Sequence, residues 1–276
     1  MKNGMLVSIV VLLAVVGMVR AGDAADASTL HGAVGIDYTT KYLWRGFDVF
    51  SDKSAIHPYI DLDLWDTGFG LHAIGHRAAS SGHEINERWD YTLSYKGMAF
   101  EGEPYMMSYM LGYRYFNYPD RTSHTTSSID LHEVHGVFAF PALLGVENLV
   151  PAYVLVKLMP ANSGTVVGAN QAFGGSASGF AHIFMLDYSL PYTDPITGGQ
   201  QDLKLHSEAV YNDGVSPNGA TDVDNDWSNA VFGISTTYDL GNNLSLTPGV
   251  YYQSSWEDTV NTEDEFWASF NLMYKF

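Results

Sequence analysis

The chain has 276 residues, no cysteine and a formal charge of −18, and 14% of its residues are aromatic. This length fits one barrel-sized domain or two small ones, and the lack of cysteine excludes a disulfide framework. So acidic a chain is a poor partner for nucleic acid, whose phosphates need basic surface, and it favours cations over anions near its own surface.

The N-terminus carries Lys2, an apolar stretch from Met5 to Val19, and then small residues at Val19-Arg20-Ala21 and Ala25-Asp26-Ala27. This pattern predicts a secretory signal peptide over 1–21, with cleavage as late as 27, and a single domain over 22–276. The alternative is a membrane anchor, for which the run is short beside the roughly 20 residues a helical span takes. Cleavage removes Lys2 and Arg20 and no acid, so the charge moves from −18 to −20. The apolar segment Val150 to Met159 is too short to span as a helix, and Lys157 interrupts it.

Beyond the signal, alternation with a period of two replaces helical periodicity. Ile56, Ile60, Leu62 and Leu64 oppose His57, Tyr59, Asp61 and Asp63. Trp89, Tyr91, Leu93 and Tyr95 oppose Arg88, Asp90, Thr92, Ser94 and Lys96. Tyr105 through Tyr115 and Leu203 through Tyr211 continue the pattern, and in the last segment Phe266, Phe270, Leu272, Tyr274 and Phe276 share a face. About twelve strands result, near 30–44, 54–65, 69–78, 86–96, 104–116, 129–140, 148–158, 180–190, 201–211, 227–238, 244–253 and 265–276.

Alternation alone also fits a soluble periplasmic β-sandwich. Three features favour an antiparallel up-and-down transmembrane β-barrel in the bacterial outer membrane. Aromatic residues gather near strand ends (Tyr42 with Trp44, Tyr113 with Tyr115), as interfacial girdles do. The chain ends on an apolar-faced strand, with Tyr274 and Phe276 in the pattern of a C-terminal signal read by the barrel-assembly machinery. Short connections such as Asp66-Thr67-Gly68 alternate with long polar ones at 117–128, 159–179, 212–226 and 254–264, as periplasmic turns alternate with outer loops.

Several phrases in order resemble the Gcw_chp family of exported bacterial proteins of unassigned function. They are the strand-loop-strand from Gly35 to Leu62 with Arg45-Gly46 at the strand end, Asn86 to Tyr95, Tyr113 to Asp120, and Leu131 to Phe138. The resemblance spans about the first half of the mature chain. It implies an exported β-barrel and carries no catalytic residue with it.

By parity the polar inward set includes Asp37, His57, Asp61, Asp63, His72, His76, Arg88, Asp90, Asp187, Lys204, His206 and Glu208, an acidic, histidine-containing lumen. A metal site is not expected: His72 and His76 lie about 13 Å apart along one strand, and His132 and His135 face opposite sides. Asp222-Val223-Asp224-Asn225-Asp226 opens like a calcium loop but lacks the glycine and the distal glutamate. No His-x-Ser, adjacent Asp-His, Gly-x-Ser-x-Gly or His-Glu-x-x-His occurs, so no catalytic residue, enzymatic activity or cofactor is expected. Arg45 is the candidate at the barrel mouth, facing a ligand or lipid phosphate. The blander alternative makes Trp44 part of the girdle, with Arg45 snorkelling beside it.

The function these features predict is a small porin-like channel for small, cation-favoured solutes, with the 159–179 loop as a constriction. The alternatives are a closed surface barrel that binds lipopolysaccharide or a partner through acidic loops, and an outer-membrane lipid hydrolase or acyltransferase. Expected partners are outer-membrane lipid, lipopolysaccharide, the assembly machinery and small solutes, with nucleic acid excluded.

Overall fold

A computed structural model describes residues 30–120, 130–161, 179–195, 198–216 and 223–276. The signal-peptide segment, most of the 159–179 loop and Asp222 lie outside the described residues.

The strands are β1 (His31–Thr39), β2 (Leu43–Trp44), β3 (Phe47–Asp48), β4 (Ala55–Asp63), β5 (Phe69–Ala78), β6 (Arg88–Ala99), β7 (Met107–Asn117), β8 (Leu131–Ala139), β9 (Leu149–Pro160), β10 (Gly179–Thr193), β11 (Gln200–Asp213), β12 (Asp226–Thr236), β13 (Tyr238–Gly241), β14 (Leu244–Ser255) and β15 (Glu265–Lys275). Apart from the β2–β3 hairpin, all join one antiparallel sheet in chain order. It closes through β1 against β15 and β12 against β14. β13 continues β12 past Thr237, so the ring has twelve staves and no free edge. Even the last residue takes part: the Phe276 amide donates to Gly32 O at 2.9 Å, and the Gly32 amide donates back to Phe276 O at 3.0 Å.

Register follows the alternation. Ile36, Ile56, Leu71, Tyr91, Leu93, Leu111, Val134, Phe184, Phe232, Val250 and Phe270 all point outward and are exposed, which suits a wall wetted by lipid rather than by water. The buried polar residues, among them His57, His76, Arg88, Asp90, Glu133 and Gln253, occupy the opposite parity and face the interior. Glycines on the wall make room for neighbouring aromatic rings. A Cβ on Gly35 would lie 2.4 Å from the Tyr59 ring, and one on Gly233 would lie 2.4 Å from Tyr251.

The first strand is shorter than its pattern predicts. β1 ends at Thr39, and the apolar continuation through Trp44 leaves the wall to form the β2–β3 hairpin. The apolar cluster therefore lies within the loop-side end of the barrel. Tyr42, Trp44, Phe47 and Phe50 of this segment pack with Phe116, Leu131, Val156, Leu158 and Ala181 of the wall.

Candidate functional site

The segment from Thr40 to Ser54 determines the geometry of the loop-side mouth. Trp44 pairs with Phe47, leaving Arg45 and Gly46 as a two-residue turn. Their φ angles are +51° and +96°, the left-handed pair that a type I′ hairpin turn requires. Glycine is demanded twice at position 46, because a Cβ there would also come within 2.6 Å of Asn229 Oδ1 and 2.7 Å of Val260.

The turn reaches across the lumen. Arg45 Nη2 lies 2.7 Å from Glu133 Oε2 on β8. Gly46 O accepts a 2.8 Å hydrogen bond from Gln253 Nε2 on β14. Glu133 is also 2.9 Å from His135 Nδ1 and 3.7 Å from Arg114 Nη1. The Arg45 guanidinium lies 4.5 Å from the Trp44 ring centroid, and Trp44 meets Phe116 edge-on at 6.0 Å. The hairpin is thus tied to both halves of the ring and narrows the mouth.

Beneath it runs a buried polar chain. Arg88 Nε is 3.0 Å from Asp90 Oδ1, and Arg88 Nη2 donates to the Tyr42 hydroxyl at 3.0 Å. His76 Nε2 meets Asp90 Oδ2 at 3.1 Å, His57 Nδ1 meets His76 Nδ1 at 2.9 Å, and Thr39 Oγ1 meets His57 Nε2 at 3.1 Å. With both rings neutral, one set of tautomers satisfies every link. Thr39 donates to His57, His57 Nδ1–H to His76, and His76 Nε2–H to Asp90. Tyr42 stacks on His76 at 4.9 Å, and its burial pushes the phenol pKa up, keeping the hydroxyl protonated. Thr39 beside His57 has the spacing of a nucleophile and its base. Both are buried, however, and Tyr42 also lies 4.7 Å from His57, so the chain acts as a seat for the hairpin.

A second clamp holds the hairpin's flanks. Lys41 Nζ contacts Asp52 and donates to Glu265 Oε2 at 2.6 Å. These two acids and Asp48 bring carboxylate oxygens within 4.8 Å of one another, and the Lys41 ammonium supplies their cation. The hydrogen bonds to Asp52 and Glu265 push the Lys41 pKa up, and the same contact holds Asp52 below the usual carboxylate range.

On the turn side of the hairpin the wall carries solvated charge. Asp61 pairs with His72 at 2.6 Å and Asp63 with Lys96 at 3.4 Å. Farther round the ring, His206 lies 2.7 Å from Asp187 and 3.6 Å from Glu208. The side chains of Asp61, Asp63, Lys96 and Asp187 are 52, 61, 58 and 49% exposed although they face inward, so water reaches this part of the lumen.

The structure divides eleven of the twelve inward candidates into these two groups. His57, His76, Arg88 and Asp90 form the buried seat. Asp61, Asp63, His72, Asp187, Lys204, His206 and Glu208 line the solvated part, with Lys204 between Ser189 and Ser235 in the ladder. Asp37 lies between them, paired with His57 and Asn271 in register. Tyr274 points outward on β15, opposite Val34 and Leu244.

The girdle reading of Trp44 and Arg45 is corrected: Trp44 is 8% exposed inside the barrel, and Arg45 is held on Glu133. Tyr42 likewise leaves the girdle for the lumen. The constriction seen is the 40–54 segment, whereas 162–178 lies outside the described residues. Glu133, Arg114 and Gln253 escaped the sequence reading because their importance comes from a hairpin that crosses the barrel, which no local spacing encodes. The left-handed Arg45-Gly46 pair between two aromatics was the available signal.

No protein-family model matches the chain, and neither does any curated protein. Among solved structures, the chain is similar to a KdgM porin, with a TM-score of 0.51, 11% identity and coverage of 88% of this chain and 99% of that one. The KdgM porin in complex with disordered oligogalacturonate aligns with a TM-score of 0.50 at the same identity and coverage. A NanC porin aligns with a TM-score of 0.50 at 7% identity, over 90% of this chain and 100% of the other. At these identities the likeness is one of fold, and the fold is that of a twelve-stranded outer-membrane β-barrel.

Proposed function

We propose that the protein is a small porin-like channel for small solutes, cation-favouring, with the β2–β3 hairpin as its constriction. The observation that carries this reading is the solvated charge inside the wall. A barrel that served only as a scaffold gains nothing from placing Asp61, Asp63, Lys96 and Asp187 in water within its lumen, where filling the space with side chains is the cheaper solution for a narrow barrel. Acids outnumber bases here, with Asp61, Asp63, Asp187 and Glu208 against Lys96 and Lys204. A similar fold has been solved with oligogalacturonate, an acidic oligosaccharide. The acid excess in this lumen argues against a polyanion as the solute, since like charges on wall and solute repel in a narrow pore. In this reading the barrel turns nothing over and needs no cofactor.

The packing of the hairpin across the mouth favours one second reading, a closed surface barrel acting through its acidic loops. Single-channel recording in a planar bilayer under a KCl gradient separates the two. Discrete steps with a cation-selective reversal potential support the channel. A heat-modifiable, folded barrel that stays silent, and stays silent when the hairpin is replaced by a short Gly-Ser linker, overturns it in favour of the closed barrel.

A further inference from the structure

The outward wall carries one charge away from the strand ends among the described residues, and it is Lys157 on β9. A cation facing the hydrocarbon is unfavourable, most of all at the bilayer midplane and least near the interfaces. Lys157 lies three residues before the loop-side end of its strand, in ladder register with Val134 and Phe180. Long loops are the outer loops of such barrels, which puts this height in the outer leaflet.

The surroundings of Lys157 are unlike the rest of the wall. Its ammonium lies 4.2 Å from the centroid of the Phe180 ring. His132 and His182 occupy outward positions on the flanking strands, hydrogen-bonded to Tyr113 at 2.5 Å and Tyr153 at 2.7 Å. Below, a groove of about 460 Å³ runs down the outer wall over Leu111, Val134, Gly136 and Leu155, with Lys157 and Phe180 at its loop-side end. Gly136 leaves its floor low. A donor-rich head above an apolar trough of this kind matches an amphiphile with an anionic headgroup and acyl chains.

We propose that this face is a binding site for a phosphate-bearing glycolipid of the outer leaflet, the lipid A moiety of lipopolysaccharide. Its phosphate sits on Lys157 between His132 and His182, and an acyl chain lies in the groove. Charge complementarity argues for this occupant: among the described residues the remainder of the wall away from the strand ends is uncharged, and an anionic headgroup neutralises a cation whose placement is otherwise costly. The site is on the outside of the barrel and is independent of whether the lumen conducts.

Native mass spectrometry of the refolded barrel in a neutral detergent tests this with lipid A, its dephosphorylated form and inorganic phosphate. The expected result is retention of lipid A, with the dephosphorylated lipid bound about tenfold or more weakly, the size of one charge-assisted contact. Lys157→Leu should lower lipid A binding to that weaker level, and Lys157→Arg should preserve it. Phe180→Ala, which removes the groove's upper wall, should weaken both lipids. Heat-modifiable migration checks that each variant is folded, and Leu at a lipid-facing position gives no reason for misfolding. Equal binding of both lipids, or wild-type retention by Lys157→Leu, overturns the proposal. Competition by inorganic phosphate as effective as that by lipid A also overturns it, leaving a simple anion site.

Discussion

Arg45, at the tip of a hairpin that leaves the wall after β1, forms an ion pair at 2.7 Å with Glu133, five strands away round the twelve-stranded ring. The pair turns a loop into a cross-brace. Glu133 is buried and Arg45 largely shielded, so the attraction is repaid only because Trp44, His135 and Arg114 complete the surroundings of each charge.

Removing the acid should be more damaging than removing the hairpin's other contacts. Glu133→Ala leaves Arg45 and Arg114 facing each other without their shared anion. The expected cost is about 3–5 kcal/mol, as for a buried charge deprived of its partner. It should be read as a lower temperature for loss of heat-modifiable gel migration, together with higher conductance as the hairpin detaches.

Gly46→Ala isolates the turn from the charges. The left-handed φ alone costs an L-residue about 1–2 kcal/mol, and the new methyl meets Asn229 and Val260. The barrel should still fold, because the ladder does not include position 46. Mean open probability in bilayer recordings should rise. An unchanged conductance would show that the hairpin does not limit flow.

Selectivity should follow the solvated acids. Replacing Asp61 and Asp63 together by Asn removes two inward charges without disturbing the buried seat, and the reversal potential under a KCl gradient should move toward zero or toward anion preference. The change should shrink at high salt, where the Debye length falls to about 3 Å at 1 M. A reversal potential identical to that of the wild type would mean that the narrow zone lies elsewhere.

The Lys41 clamp predicts acid sensitivity with a definite sign. Asp52 is held below its ordinary pKa by Lys41. A carboxylate whose folded-state pKa is depressed contributes stability above its unfolded value, and that contribution is lost as pH falls through the folded value. The window therefore lies below about pH 4. Asp52 is exposed, so the effect is small and salt-screened. Conductance should rise on acidification in that window, and Asp52→Asn should abolish the part of the rise that Asp52 causes while raising the baseline at neutral pH.

Much of the architecture was legible in sequence because strand parity is a local property. Once Trp89, Tyr91, Leu93 and Tyr95 take the lipid face, Arg88 and Asp90 must turn inward, and cross-strand register carries the same parity to His76 and onward. Counting the segments of period-two alternation led to the strand number of the closed ring in the same way. The hairpin was not legible. Tyr42 and Trp44 read as girdle residues because an aromatic at a strand end suits either an interface or a folded-in loop, and composition does not distinguish the two. That choice depended on Glu133, Gln253 and Phe116, which lie far away in sequence and come within reach only when the ring closes. Sequence by itself determined that this chain is a barrel with a polar interior, because a twofold period and lipid-facing apolarity act residue by residue. Only the tertiary structure decided that a hairpin crosses its mouth, because an ion pair across a lumen exists only after both walls are in place.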